Sequence, residues 1–426
     1  MSQVLTYQRL IDAVAGEAVA ARSVAKLQPA GGQGDKVFPP TYQGGRYAVE
    51  ERRVGDRVVV TVLLDSVQSQ ANRLEQALKR AWERGEVRFP LVVTDFTGAP
   101  DADIARLGRI TALDAPHRIA DAIFRESLLD GQRFHESDAG RRFRAARTTT
   151  ATALFELCPT ALVFGVWDST GLEPRAGLGA KFQRALVSEI VGFDANLGVR
   201  TASKLDPLPI SAAVPVYEAA DGWTVDEDEA VRDEKGEPKL FKRAGAERER
   251  PGRPSTINLG NVTPDIATDQ RTREALAGGA TIAYAQQTTV LSFPALRRLR
   301  FPLADGSTSE EIDRAARGVL SALALAAVAY QRQEGYDLRS RCLLVPIEPA
   351  SFDLVDGNGE THPFSLDTDT ARQIFEQAVA GARQAGLPWT EEEIVLTPSD
   401  RLLALVRKSL DLGIPVEGGG SAEEEE

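Results

Sequence analysis

Short polar side chains open a predicted helix in the segment LLDSVQSQANRLEQALKRA (63–81). Backbone amides at a helix start carry partial positive charge, so this end can bind a phosphate or another anion. Asn and Gln side chains can also hydrogen-bond sugar hydroxyls and base edges. Helical spacing places Ser66, Ser69 and Arg73 close to one face, with Asn72 beside them. The pattern is typical of a helix start that holds a ligand.

A polar, well-capped surface helix explains the same residues equally well. In that alternative Asp65 is the N-cap and Gln68 reaches back toward it. Asp65 and Asp95 both end predicted strands, where a carboxylate could hold a metal, but capping is the better interpretation of Asp65. The segment alone leaves binding and capping open, and no metal site is predicted.

A second cationic group lies in AKFQRALVSEIVGFDANLGVRTASKLDP (180–207). Cations provide affinity for phosphates, and aromatic faces can stack on bases of any sequence. The alternative is that the aromatic residues belong to the core and the cations cover an ordinary surface. The residues concerned are Lys181, Arg184, Arg200 and Lys204, the rings Phe182 and Phe193, and the hydroxyl of Ser203.

The segment ALRRLRF (295–301) adds three arginines. On a predicted strand, Arg298 and Arg300 share one face and Arg297 lies on the other. At least one of them must therefore point inward, toward a ligand or a partner.

Signals for an enzyme are weak. No Gly-Lys pair is followed by Ser or Thr, and neither G-x-S-x-G nor HExxH occurs. His117 and His135 are candidate general bases for RNA cleavage, although a lone loop histidine is more often merely solvated. With only Cys158 and Cys342 and three histidines, neither a disulfide framework nor a zinc site is indicated. No cofactor is predicted, and a reducing cytoplasm is the expected compartment.

The formal net charge of −12 at first argues against a nucleic-acid partner. Two stretches, 211–250 and 417–426, supply −9 of that charge. Both have loop or tail composition, so the rest of the chain is near neutral and permits an RNA ligand. No apolar run reaches the roughly 18 residues of a membrane span, and the N-terminus lacks the pattern of a secretory signal. We expect no membrane partner.

Hydrophobic patterning outlines the elements that must position these residues. A strand at 57–64 precedes a helix whose apolar face carries Val67, Ala71, Leu74, Leu78 and Trp82. Further strands are predicted at 88–96, 160–170, 280–301 and 339–349. A polar helical region is predicted at 104–147, and helices at 309–333, capped by Ser309, at 368–384 and at 399–410. The first 45 residues are predicted to hold a short amphipathic helix and a Gly/Pro loop. This order fits an α+β, ferredoxin-like β-α-β-β-α-β core with two large insertions.

Several of these segments together resemble one family. The segments are VFPPTY, LLDSVQSQANRLEQAL, GVWDSTG, KFQRALVSEIVG, RTASKLDPLP, NLGNVTP, LSFPALRRLRF and LRSRCLLVP. They resemble the CRISPR-associated RAMP-superfamily backbone subunit of type I-G (formerly I-U) Cascade effector complexes. The resemblance runs in order from residue 37 to residue 346, and it leaves 211–250 and the tail unmatched.

The resemblance implies an RRM-like palm with a helical fingers insertion and an extended thumb and web insertion. The implied boundaries are 1–96, 151–204 and 286–412 for the palm with its C-terminal helices, 97–150 for the fingers, 205–285 for the web and thumb, and 413–426 for an acidic disordered tail.

The resemblance also implies a non-catalytic protein that binds crRNA and presents it to a target DNA strand. Its implied partners are copies of itself in a head-to-tail filament and other Cascade subunits. The runner-up is a crRNA-processing endoribonuclease using His117 or His135, and a third possibility is a subunit that contacts only proteins. The implied RNA contacts are Ser66, Gln68, Ser69, Gln70, Asn72 and Arg73 at the helix start, then Lys181, Phe182, Arg184, Arg200, Ser203 and Arg298.

Overall fold

A computed structural model of the chain describes residues 3–168, 180–242, 251–268 and 274–412. The strands are β1 (Gln3–Val4), β2 (Ala18–Pro29), β3 (Val49–Val54), β4 (Arg57–Asp65), β5 (Leu91–Asp95), β6 (Arg109–Thr111), β7 (Ser127–Leu129), β8 (Gln132–Arg133), β9 (Val166–Trp167), β10 (Lys181–Phe182), β11 (Leu186–Phe193), β12 (Asn196–Val199), β13 (Thr201–Lys204), β14 (Tyr217–Ala219), β15 (Gly222–Thr224), β16 (Val262–Ile266), β17 (Ala277–Thr281), β18 (Tyr284–Ser292), β19 (Tyr336–Asp337), β20 (Leu343–Pro346), β21 (Ser351–Asp356), β22 (Thr361–Ser365) and β23 (Glu393–Pro398). The helices are α1 (Tyr7–Ala15), α2 (Val67–Glu83), α3 (Ala102–Ala105), α4 (Ala122–Arg125), α5 (Asp138–Ala145), α6 (Thr152–Leu157), α7 (Pro159–Phe164), α8 (Phe293–Arg297), α9 (Glu310–Glu334), α10 (Thr368–Gln384) and α11 (Asp400–Asp411).

The palm is a ten-stranded sheet whose order is β1-β22-β21-β2-β18-β11-β4-β3, with β19 and β20 attached beside it. Its centre is β21-β2-β18-β11, and each neighbouring pair is antiparallel. Counting these strands along the chain as one (β2), two (β11), three (β18) and four (β21) gives the spatial order 4-1-3-2 of a ferredoxin-like fold. The connecting helices are α2 and α9. The predicted α+β class with a ferredoxin-like palm is confirmed.

The two connecting helices are held by caps and by burial. Ser309 caps α9 by accepting a hydrogen bond from the Ile312 amide, as the sequence predicted. Buried alanines and leucines line almost the whole length of α9, because neighbouring helices and the sheet surround it. Ala71, Leu74 and Leu78 form the buried face of α2, which confirms the predicted apolar face.

The strands of the palm differ from those predicted. The first core strand is β2, which the sequence analysis missed, whereas the predicted strand at 57–64 is the adjacent outer strand β4. The predicted strand at 88–96 forms as β5, but it belongs to a separate five-stranded sheet, β6-β5-β23-β7-β8. The fourth core strand is broken, since β20 pairs with one end of β2 and β21 with the other.

Two predicted strands are helical in part. Residues 160–170 were predicted as a strand, but 160–164 belong to α7, where Pro159 occupies the first turn, and only Val166 and Trp167 form a short strand. Residues 169 and 170 lie outside the described residues. All six residues of α7 are buried, so the run has no polar face to reveal a helical period. The predicted strand at 280–301 ends at Ser292, whose hydroxyl caps α8. Pro294 then favours the first helical turn, so the arginine segment is not extended.

The insertions also differ in detail from the expectation. Residues 97–150 hold short helices together with β6, β7 and β8, so this region is mixed rather than helical. The second excursion begins before 205, because β12 and β13 pair with β17 and β16 in an antiparallel arm. The acidic tail at 413–426 lies outside the described residues. Among the described residues, no helix is both long and apolar enough to cross a membrane.

Candidate nucleic-acid interface

A cleft of about 1130 Å³ opens where five segments of the chain meet. These segments are the turn at 116–118, the loop at Thr148, the end of α7 with β9, the segment 181–185, and α8 with the residues that follow it. The polar and aromatic side chains in its lining are His117, Arg118, Thr148, Phe164, Trp167, Lys181, Phe182, Gln183, Arg184 and Arg298. Its described lining contains cations and no carboxylate, so the cleft favours an anionic ligand.

The strands β9 and β10 form a short ribbon along one wall of the cleft. In its register Lys181 pairs with Trp167, and Phe182 pairs with Val166. The first pair faces outward, with the Lys181 ammonium 4.7 Å from the Trp167 ring centroid. The second pair faces the core, where Phe182 is only 5% exposed. Because cross-strand partners share a face, the ribbon separates an aromatic–cationic surface from a buried apolar one.

The predicted aromatic contacts are therefore core residues. Phe182 belongs to the main hydrophobic core, and Phe193 is stacked on Tyr284 with ring centroids 5.1 Å apart. Burial removes both rings from any base-stacking role in this conformation. The core alternative described above is the correct one for these two phenylalanines, and Phe182 is withdrawn as an RNA contact.

The three arginines at 297–300 have different environments. Arg297 donates to the carbonyl oxygens of Val14, Ala13 and Ala18 at 2.7–2.8 Å, so it fixes α8 to α1 and to the start of β2. Arg300 pairs with Asp313 at 2.9 Å. Arg298 is exposed at the end of α8 and faces the cleft. Among the described residues it has no ion pair, so its charge is available to a ligand.

A buried ion pair lies beneath the cleft. Arg118 donates to both carboxylate oxygens of Glu75 at 2.7 Å and to the Gly165 carbonyl oxygen at 3.1 Å. Arg118 holds a left-handed backbone with φ of 51°, which is costly for a non-glycine residue. Burial raises the pKa of Glu75 to about 7, although Arg118 opposes that shift. The pair ties the cleft wall to α2.

The two candidate histidines have opposite surroundings. His117 is exposed and lines the cleft beside the cations. His135 is buried between Phe134 and Phe143, and its Nε2 atom has no hydrogen-bond partner within the described part of the chain. Burial lowers the pKa of His135, so it is neutral near pH 7. Only His117 is placed where it could meet a ligand.

The start of α2 is built around a fully buried carboxylate. Ser66, not Asp65, is the N-cap, since its hydroxyl accepts from the Ser69 amide at 3.2 Å. Asp65 is 0% exposed and accepts four hydrogen bonds between 2.6 and 3.2 Å. The donors are Ser69, Gln70, Arg73 and Arg339. The predicted capping role of Asp65 is therefore wrong: this carboxylate is a buried centre that two arginines neutralise.

This arrangement divides the predicted contacts of the helix start. Gln70 is 0% exposed, and its Oε1 accepts from Ser188 and Gln287 at 3.0 and 2.9 Å. Gln70 is withdrawn as an RNA contact, because its amide group is already hydrogen-bonded inside the palm. Gln68 and Asn72 are exposed, while Ser66, Ser69 and Arg73 are half-buried. Arg73 also donates to the carbonyl oxygens of Asp337 and Leu338.

Two predicted contacts lie on the arm. Arg200 lies between β12 and β13 and Ser203 lies within β13, and both are exposed. Neither lines the cleft. At the end of the arm that is remote from the palm, Asp206 accepts from the Leu208 and Gly260 amides and from Lys204. These hydrogen bonds, that of Leu208 foremost, lower the pKa of Asp206.

The sequence analysis missed three residues of these surfaces. Trp167 and Gln183 line the cleft, and Arg341 lies over the Phe38 ring at 4.0 Å near the start of α2. Trp167 was hidden inside an apolar run that predicted a strand interior. A possible metal group, Asp356, Glu360 and His362, lies on the β21–β22 hairpin and does not line the cleft.

Residues 22–197 match the family model of CRISPR-associated protein GSU0053. The matched stretch is similar to this CRISPR-associated family and covers less than half of the chain. It includes α2, Trp167, Lys181 and Arg184. Arg200, Ser203 and Arg298 lie beyond it. No curated protein matches the chain.

Proposed function

We propose that this protein is a non-catalytic backbone subunit of a type I-G CRISPR effector, or Cascade, that binds crRNA along its sugar-phosphate backbone. The observation that carries the proposal is the cation-lined cleft without a lining carboxylate, inside a chain whose residues 22–197 match a CRISPR-associated family. The subunit holds the crRNA guide for pairing with a target DNA strand. Its further partners are copies of itself and other Cascade subunits.

The cleft supplies charge that the protein does not itself neutralise. Lys181 and Arg298 approach the cleft from β10 and α8, and neither has an ion pair among the described residues. Gln68 and Asn72 add neutral donors at the start of α2, where the helix amides favour an anion. Contacts of this type read phosphates and sugars rather than bases, which suits a guide whose sequence varies.

We expect Lys181→Ala and Arg298→Ala to weaken binding of single-stranded RNA of any sequence. Each lost phosphate contact should also reduce the salt dependence of log K by about 0.7. Fluorescence anisotropy against salt concentration measures both quantities. Arg106→Ala is the matched control, because Arg106 is an exposed cation at the C-cap of α3, outside the cleft.

Unchanged affinity in both cleft variants, with normal folding by circular dichroism, would reject the cleft as the RNA site. Arg73→Ala is a poor probe, since Arg73 neutralises buried Asp65 and its loss would also destabilise the palm.

A second candidate function is cleavage of precursor crRNA, favoured by the exposed position of His117 among the cations of the cleft. A histidine there could act as general base toward a ribose hydroxyl. Incubation with repeat-containing precursor RNA tests this activity. Site-specific cuts that His117→Ala abolishes and His135→Ala preserves would establish the nuclease and reject the non-catalytic proposal.

A further inference from the structure

Trp167 is unusual among the residues of the cleft. Its side chain is 59% exposed, although it lies on a ribbon whose opposite face is packed into the core. A large aromatic ring that stays open to solvent inside a cation-lined cleft presents an apolar face to whatever the cleft holds.

The backbone fixes the position of this ring. Gly165 precedes the ribbon with φ of 86°, and a Cβ atom there would lie 3.1 Å from the Arg184 amide and from the Phe182 carbonyl oxygen. The ribbon therefore approaches the end of α7 closely, and the tight contact together with the positive φ favours glycine at this position. Val166 and Phe182 anchor its inner face. The backbone from which the ring projects is therefore already ordered before binding.

We propose that Trp167 stacks on one unpaired nucleobase of a single-stranded nucleic acid, while Lys181 and Arg298 bind the phosphates beside that base. The inference rests on the proposed function and adds that the cleft recognises one unpaired base. Every base has a π-face, so stacking is compatible with a guide of any sequence.

The arrangement also discriminates between nucleic-acid forms. A base inside a duplex is stacked on its neighbours and paired, so it cannot present a free face to Trp167. The cleft should therefore prefer single strands to duplexes. Lys181 covers part of the indole at 4.7 Å, and its ammonium can turn from the ring to a phosphate when the base arrives.

A thermodynamic cycle tests the stacking directly, because it combines substitution of Trp167 with removal of the bases from the ligand. The full-length protein and its Trp167→Ala variant are titrated with a short oligouridine and with a strand of abasic riboses of equal length. For the wild type, base removal should weaken binding roughly 5- to 150-fold, as expected for one base–aromatic stack. For Trp167→Ala, removing the bases should change affinity little, and the abasic strand should bind as it does to the wild type.

Two controls sharpen the result. Trp167→Phe keeps a π-face and should retain most of the preference for the base-containing strand. Trp223→Ala removes another exposed tryptophan, on β15, and should leave all affinities unchanged. The same titration with single-stranded DNA tests whether binding depends on the base alone or also on the ribose 2′-hydroxyl.

The outcomes separate the stacking inference from the proposed function. Equal losses for both strands in Trp167→Ala would reject stacking and leave a structural role for the ring. Unchanged RNA affinity with lost binding of another Cascade subunit would make Trp167 a protein contact and also reject it. If neither Lys181→Ala nor Arg298→Ala weakens binding, the proposed RNA site itself fails.

Discussion

At the scale of single residues, the arginines have two roles. Some neutralise buried carboxylates of the protein itself, and others can neutralise the phosphates of a ligand. Asp65 and Glu75 are both buried on or beside α2, and an unpaired buried carboxylate would be strongly destabilising. Arg73 and Arg339 form ion pairs with Asp65, and Arg118 forms one with Glu75. The sequence alone does not separate these roles, because it does not show whether an arginine packs against a buried acid or lies open to a phosphate.

The raised pKa of Glu75 has a consequence for stability. An acid whose pKa is raised by folding binds more protons in the native state, so stability falls as pH rises from about 4.5 to about 7. We expect Glu75→Gln to remove this fall, which corresponds to at most about 3 kcal/mol. Urea unfolding of both proteins between pH 5 and pH 8 measures the difference. His135 titrates equally in both proteins and cancels, and parallel pH profiles would contradict the prediction.

At the scale of elements, α2 connects the two candidate surfaces. Its start presents Gln68 and Asn72, and one face carries Glu75, which holds the cleft wall through Arg118. Ser66 and Glu75 are nine positions apart, about 13 Å along a helix. A strand of RNA could therefore follow α2 from its start to the cleft, and one rigid helix would set the spacing of both contacts.

At the scale of the whole molecule, the arm exposes apolar side chains that have no cover within the described chain. Val199, Leu205 and Ile266 lie on or beside its strands, and Leu205 is 88% exposed. Apolar residues on an extended arm are typical of a surface that contacts a partner. In the proposed filament this partner is the next copy of the same chain.

We expect Leu205→Asp to reduce assembly of several copies on RNA, because a charge would be buried at the contact. Light scattering of the protein–RNA complex gives the mass of the assembly, and anisotropy with a short strand should show unchanged affinity of a single copy. Leu405→Asp is the matched control, since Leu405 is exposed on α11. Assemblies of equal mass for the wild type and Leu205→Asp would exclude this part of the arm as the contact.

The sequence by itself determined the features that local chemistry encodes. The cap and length of α9, the apolar face of α2, the two C-terminal helices and the α+β class all follow from periodicity and capping residues. The core strand β2 escaped prediction because half of its buried positions are alanine, which gives only a weak strand signal. The strand exists because β18 and β21 pair with it on both sides.

Only the tertiary structure decided which polar side chains line the cleft. Lys181 and Arg298 are far apart in sequence and meet in one cleft, whereas Gln70 and Phe182 turn inward. The physical reason is that burial and ion pairing depend on what packs against a residue from distant parts of the chain. Trp167 is the opposite case. Its place in an apolar run predicts a core residue, but the register of β9 with β10 turns the ring outward.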